Sequence, residues 1–383
     1  SYCSDDFFGV MSETASTIDS NTLLNLAIGR IPFVSEADCR SYIDKLLAYM
    51  AEPPKQSEMW RSNMLVIGEY GDDYIHTIQT EDFINKFNDS GMFAANFNKI
   101  YLEPYDNIDY LEGSREKLVE DFNVGQYFTM FIGHSNTSSM TKPMILMDLQ
   151  KATNTKYDVA PIMYISSCDV GRYDMGVTSF LDRLLLNPNG GVICAIAATR
   201  EAYTSHNGKM TNSFGKFLGM DENNGSYFLG EKTLGRVLMQ AKNYSGDASK
   251  NRTKYHLFGD PAMKLYIPRN LARVTEVNSS TDIESVEVGT STPINLAGKI
   301  CLKNTENIDT EYNGTAKITL YDSDKYYMTQ SVSGNNVDVY ERGAELASVT
   351  CKVENGEWHT SIVIPEYLSG TTTIIPVMVT AIS

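Results

Sequence analysis

Two residues of this sequence have the types and the placement for nucleophilic chemistry. His134 stands just past the apolar run Tyr127-Phe128-Thr129-Met130-Phe131-Ile132, and Cys168 just past Ile162-Met163-Tyr164-Ile165. A thiol needs a nearby base or cation to become a thiolate near neutral pH. On its own a cysteine at a strand end is more often a small buried hydrophobe, so the elements around it decide which reading holds.

Both runs are apolar at successive positions, as are Met64-Leu65-Val66-Ile67 and Val192-Ile193-Cys194-Ala195-Ile196. That pattern predicts central strands of a parallel sheet, buried on both faces. Helical spacing predicts helices over about 80–88, 114–122, 176–186, 208–218 and 232–243, with one more after Ser35. There Ser35 is the expected N-cap, with Asp38 three residues on. The first 270 residues therefore read as an α/β domain with helices on both faces of a mostly parallel sheet. In such sheets ligands gather at the carboxyl ends of the strands. Neighbouring strands lie about 5 Å apart, so adjacency of the two runs would bring His134 and Cys168 to one rim. Their separation of 34 positions leaves room for a crossover connection.

Around Pro268 the texture changes to alternating Thr/Val/Ser-rich runs with turns at Asn313-Gly314, Asn355-Gly356 and Ser369-Gly370. Residues 271–383 are expected to form an all-β, immunoglobulin-like sandwich. Cys301 and Cys351 have a spacing compatible with an inter-sheet bridge, or are two small core residues without one.

Composition limits the function. Net charge is −16, with 32 Lys and Arg against 48 Asp and Glu, which argues against nucleic acid or an anionic membrane as main partner. No apolar run is long enough to span a bilayer, and the N-terminus has no basic and apolar segments of a signal peptide. Six cysteines show no C-x-x-C pair and five histidines no zinc spacing. His76, His206 and His256 have no paired spacing, so they are expected on the surface or behind the site. The excess of tyrosine over tryptophan suits an exported protein.

Six segments, in order over residues 26–263, carry a resemblance to a known family. They are Leu26-Ala27-Ile28-Gly29-Arg30-Ile31-Pro32, Val66-Ile67-Gly68-Glu69-Tyr70-Gly71-Asp72-Asp73, Ile132-Gly133-His134, Ser167-Cys168-Asp169-Val170-Gly171, Gly190 to Arg200, and Leu257 to Met263. Together they resemble the gingipain-like cysteine peptidases, family C25, whose fold is caspase-like. The segments Val274 to Asn278, Tyr312 to Thr315 and Val363 to Pro365 look most like the β domain of the PorU-type sortases of type IX secretion.

The resemblance implies that Cys168 is the nucleophile and that His134 activates it and then protonates the leaving amine. Glu69 would orient the imidazole; its alternative is a solvated loop carboxylate. The backbone N–H groups of Ser135 and Cys168 would form the oxyanion hole. Asp73 stands where a substrate-selecting acid is expected, and Asp72 and Asp73 where a structural calcium could bind; otherwise both are solvated acids. No cofactor is required. Two departures matter. Ser135 replaces the family's glycine after the histidine, which predicts a weakened enzyme if the turn needs positive φ. The chain also begins, at Ser4 to Gly9, near the end of the family's preceding α/β lobe, so most of that lobe is expected to be missing.

The reading implied is a cysteine endopeptidase or transpeptidase acting on exported protein or peptide substrates, as in a C-terminal signal peptidase. Its location would be the periplasm, the outer membrane surface or the exterior, with outer-membrane secretion components as partners. The alternatives are a catalytically impaired homologue that binds proteins at the surface, and an adhesin in which the β-sandwich does the work.

Overall fold

The computed structural model describes residues 3–382 except 12–17, 19–21, 52–59, 91–94, 103–107, 142–146, 149–158, 221–226, 229–231, 248, 266–269, 285, 303–304 and 367–373. The expected boundary at Pro268 lies outside the described residues.

The apolar runs form the strands β1 (Asn63–Gly68), β2 (Asn96–Tyr101), β3 (Phe128–Ile132), a short β4 (Ser139–Met140) and β5 (Met147–Asp148), then β6 (Ile162–Ser166), β7 (Cys194–Ala198) and β8 (Tyr255–Phe258). Six of them make one sheet in the order β2-β1-β3-β6-β7-β8; β4 and β5 pair separately. All neighbours in the large sheet are parallel except β7 and β8. Every residue of β3, β6 and β7 is buried, because alternate side chains feed two different cores.

On one face Val66, Met130 and Tyr164 pack with Phe83, Phe214 and Val237. These come from the helices α2 (Ile75–Asp89), α5 (Thr204–Gly219) and α6 (Leu234–Tyr244). On the other face Leu65, Phe131 and Ile165 pack with Tyr42, Leu118 and Phe180. Those belong to α1 (Glu36–Met50), α3 (Ile108–Val124) and α4 (Phe180–Leu186). Ser35 caps α1 as its position predicts, its Oγ accepting the Asp38 N–H at 3.1 Å.

The C-terminal region builds a second sheet from β9 (Leu271–Val277), β10 (Pro293–Cys301), β11 (Gly314–Tyr321), a hairpin of β12 (Lys325–Met328) and β13 (Asp338–Glu341), then β14 (Glu345–Glu354), β15 (Glu357–Val363) and β16 (Val377–Ile382). Apart from the hairpin, these strands join as one antiparallel sheet, β16-β11-β14-β15-β10-β9, rather than as the two facing sheets of an immunoglobulin sandwich. The sheet curls until its end strands β9 and β16 approach each other. Ile294, Ile318, Val353, Trp358 and Ile364 fill its interior. Cys301 on β10 and Cys351 on β14 lie in this same sheet with β15 between them, and both thiols are free. No disulfide therefore staples this region.

Candidate active site

The sheet order sets the site. β3 and β6 are neighbours in register, Ile132 opposite Ser166, so the residues two positions beyond each, His134 and Cys168, leave the same rim. Side-chain ties fasten the two loops together. Ser135 Oγ donates to the Cys168 carbonyl at 2.5 Å, and Ser167 Oγ to the Gly133 carbonyl at 2.6 Å.

β1, on the other side of β3, delivers the carboxylate. The Glu69 N–H donates to the Ile132 carbonyl at 2.9 Å, continuing the ladder one residue past the strand. Its side chain turns over Gly133, where a Cβ would come within 2.5 Å of Glu69 Cβ and 2.6 Å of Oε2. Glycine at 133 is what lets the carboxylate lie there. Glu69, only 1% exposed, is no solvated loop acid. Its Oε2 accepts the backbone N–H of His134 and lies 2.8 Å from Nδ1 of the ring. An ionised carboxylate only accepts, so Nδ1 carries a proton, and Nε2 is the nitrogen left to face the other groups of the rim.

The loop after Glu69 is tightly wound. Gly71, Asp72, Asp73 and Tyr74 have φ of 92°, 50°, 58° and 64°, and for each of the three non-glycine residues this costs of order 1–2 kcal/mol. The turn separates the two aspartates. Asp72 Oδ2 lies 3.2 Å from His134 Nε2 and 3.4 Å from His76 Nε2. Asp73 faces away. It accepts hydrogen bonds from the Val332 N–H at 2.6 Å, the Ser333 N–H at 3.0 Å and Ser331 Oγ at 2.9 Å. Those donors, on the loop between β12 and β13, hold its carboxyl down at about 2. Asp73 is exposed to solvent, yet its carboxylate is tied to that loop and turned away from the histidines that Asp72 approaches.

Sequence spacing gave no sign of His76. It lies in the first turn of α2, only 3% exposed, with its ring edge-to-face to that of His134 at 5.3 Å between centroids. Burial pushes its imidazole below its ordinary value. The available signal was Asp72 and His76 four residues apart across a helix start, a separation that puts both on one side.

Cys168 sits in a γ-turn closed by the Val170 N–H to its carbonyl at 2.7 Å, with Asp169 at φ 53°. Its Sγ points along the rim to Ala202, accepting that N–H and donating to that carbonyl, both at 3.3 Å. Half-burial pushes the thiol up, and the Ala202 N–H opposes this. Among the described residues no hydrogen bond joins Sγ to the His134 ring. Ser135 is not in the left-handed region, so the strain that would have weakened the site is absent. The Thr141-to-His134 and Asn136-to-Ser139 bonds make Ser135 and Met140 a non-hydrogen-bonded antiparallel pair, which turns the Ser135 N–H outward. Among the described residues neither this N–H nor that of Cys168 has a hydrogen-bond partner.

The family model described as peptidase family C25 matches residues 1–266. Among solved structures the chain is similar to the Arg-specific cysteine proteinase gingipain R. The TM-score is 0.57 at 16% identity, over 99% of this chain and 76% of that one. It is also similar to the complex of pro- and mature domains of RgpB from Porphyromonas gingivalis. There the TM-score is 0.53 at 16% identity, over 98% of this chain and 77% of that one. At such identity the likeness is one of fold. No curated protein sequence matches the chain significantly.

Proposed function

The chain belongs to peptidase family C25, and on that premise we propose that it is a cysteine peptidase using Cys168 as nucleophile and His134 as base. The proposed catalytic domain is 1–270, followed by a β domain over 271–383. The observation that carries the reading is the buried Glu69 carboxylate on His134 Nδ1, beside a strand end bearing Cys168. The carboxylate fixes the tautomer that leaves Nε2 as proton acceptor.

Catalysis begins when Cys168 Sγ turns from Ala202 towards Nε2. The thiol proton passes to Nε2 as sulfur attacks the scissile carbonyl. The unpartnered Ser135 and Cys168 N–H groups are suited to receive the oxyanion. Collapse of the tetrahedral species breaks the C–N bond, the imidazolium gives its proton to the leaving amine, and a thioester remains on Cys168. Water or an amine then resolves the thioester, giving hydrolysis or transpeptidation. No step needs a cofactor. The finer reading is a sortase-like enzyme, outside the cytoplasm, releasing C-terminal signals from exported proteins; it rests on the resemblance of residues 274–278, 312–315 and 363–365 to PorU-type β domains. No described helix is long and apolar enough to cross a membrane.

One observation favours the second reading, a catalytically silent homologue that binds proteins. Sγ is engaged with Ala202 and its thiol is pushed up, while Nε2 faces Asp72. Incubation with a panel of peptidyl chloromethyl ketones, followed by peptide mass mapping, separates the two. A peptidase is labelled at Cys168, faster than the exposed Cys3, and loses labelling in His134→Ala. Labelling at Cys3 alone, together with no peptide turnover, favours the silent homologue.

A further inference from the structure

Among the described residues, His76 is a histidine with both ring nitrogens buried and without a hydrogen bond. The residue is 3% exposed. A buried polar group left so is costly and calls for a partner. Its Nε2 lies 3.4 Å from Asp72 Oδ2, which is itself 3.2 Å from His134 Nε2. Glu69, His76 and His134 each offer a ligand atom within 4.8 Å of the others. Two imidazoles converge here on carboxylate oxygens from three directions: the end of β1, the start of α2 and the rim after β3.

We propose that Asp72 Oδ2, His76 Nε2 and His134 Nε2 form a binding site for a zinc-class divalent cation that holds the peptidase inactive. Bond lengths of about 2.0–2.2 Å to a tetrahedral ion require donors roughly 3.3–3.5 Å apart. Of the two carboxylate-to-imidazole separations, 3.4 Å falls in this range and 3.2 Å lies just below it. Two nitrogen donors select zinc, cobalt or nickel over calcium and magnesium, which take oxygen. Glu69 on His134 Nδ1 is the outer-shell carboxylate that orients a metal-binding imidazole. The same bond that readies Nε2 for the thiol proton readies it for a metal, and the two uses exclude each other. The fourth position faces the rim and takes water. The inhibitory part of the proposal rests on His134 being the catalytic base; the binding part does not.

The test is competition for Zn²⁺ against a chromophoric chelator, with the full chain in a Cys3→Ser background so that the exposed thiol is silent. One Zn²⁺ per chain is expected, undiminished by Cys168→Ala. Affinity should fall by about ten- to a hundredfold in Asp72→Asn and in His76→Gln. Asp72 is half-exposed, so its variant reads the site even if the His76 variant fails to fold. Ca²⁺ should not compete, and Co²⁺ should give a visible spectrum without a thiolate charge-transfer band. Unchanged affinity in Asp72→Asn, or loss of the metal in Cys168→Ala, overturns the site. Peptide turnover that Zn²⁺ inhibits equally in wild type and Asp72→Asn overturns the regulatory role. Site-dependent binding in a chain without turnover supports the site and overturns only the peptidase reading.

Discussion

At the scale of single residues, Glu69 holds the site together. It bonds both the backbone and the ring of His134, and it fits only because Gly133 has no Cβ. Glu69→Gln keeps the shape but presents an amide that can force the wrong imidazole tautomer. We expect kcat to fall by roughly 10²–10⁴-fold with an unchanged thermal midpoint, checked by steady-state kinetics beside differential scanning fluorimetry. Ser135 bears on the question differently from its sequence reading. With ordinary φ and a hydroxyl tied to the Cys168 carbonyl, it braces the loop that carries Cys168. Ser135→Gly should therefore leave turnover unchanged or lower it, and cost about 1 kcal/mol of stability in urea denaturation. A rate increase would restore the view that serine impairs this enzyme.

At the scale of elements, the rim is built from the C-terminal ends of β1, β3 and β6, and the opposite ends of the strands must be pinned for it to hold. Lys45 of α1 does much of this near the start of β7. Its ammonium shares three N–H donors among the carbonyls of Leu185, Asn187, Gly190 and Val192, at 2.7–3.3 Å. It thereby satisfies the C-terminus of α4 and fixes the turn into β7. Replacing Lys45 with methionine keeps the stem and strands these carbonyls. A loss of about 2–3 kcal/mol is expected, seen as a lower urea midpoint, while the distant site keeps its alkylation pattern.

At the scale of the molecule, polar contacts among the described residues join the two sheets, those of Asp73 and the Arg342–Asn96 bond among them. Lodged in the left-handed turn beside Asp72, Asp73 binds three donors of the β12–β13 loop. Asp73→Ala should raise hydrogen exchange at the Val332 and Ser333 amides, and by freeing the turn also loosen Asp72 from His134. A carboxyl lowered from 3.8 to about 2 adds stability that is complete above the unfolded value. That stability is lost as pH falls through the folded one. The contact should accordingly open between about pH 4 and 2 in wild type, read as protease cutting between the sheets, with no such step in the alanine variant. Persistence of the step in Asp73→Ala would assign it to another carboxyl.

By itself the sequence determined the α/β character of the first part, because strands buried on both faces are apolar at nearly every position, as β3, β6 and β7 are apart from Thr129 and Ser166. It also determined that His134 and Cys168 end such strands, and the ordered segments between Leu26 and Met263 carried the family. Tertiary structure decided what one-dimensional spacing cannot hold. Strand order put β3 between β1 and β6, so that Glu69, His134 and Cys168 share a rim. The left-handed run at 72–74 sent Asp72 to the histidines and Asp73 to the other sheet, although the two are adjacent in sequence. His76 is expected from the sequence on the surface or behind the site, and only the packing of α2 against the rim showed it buried beside the His134 ring. Strand pairing likewise placed Cys301 and Cys351 in one sheet, since alternating patterns fix which face a residue takes but not which strand it neighbours.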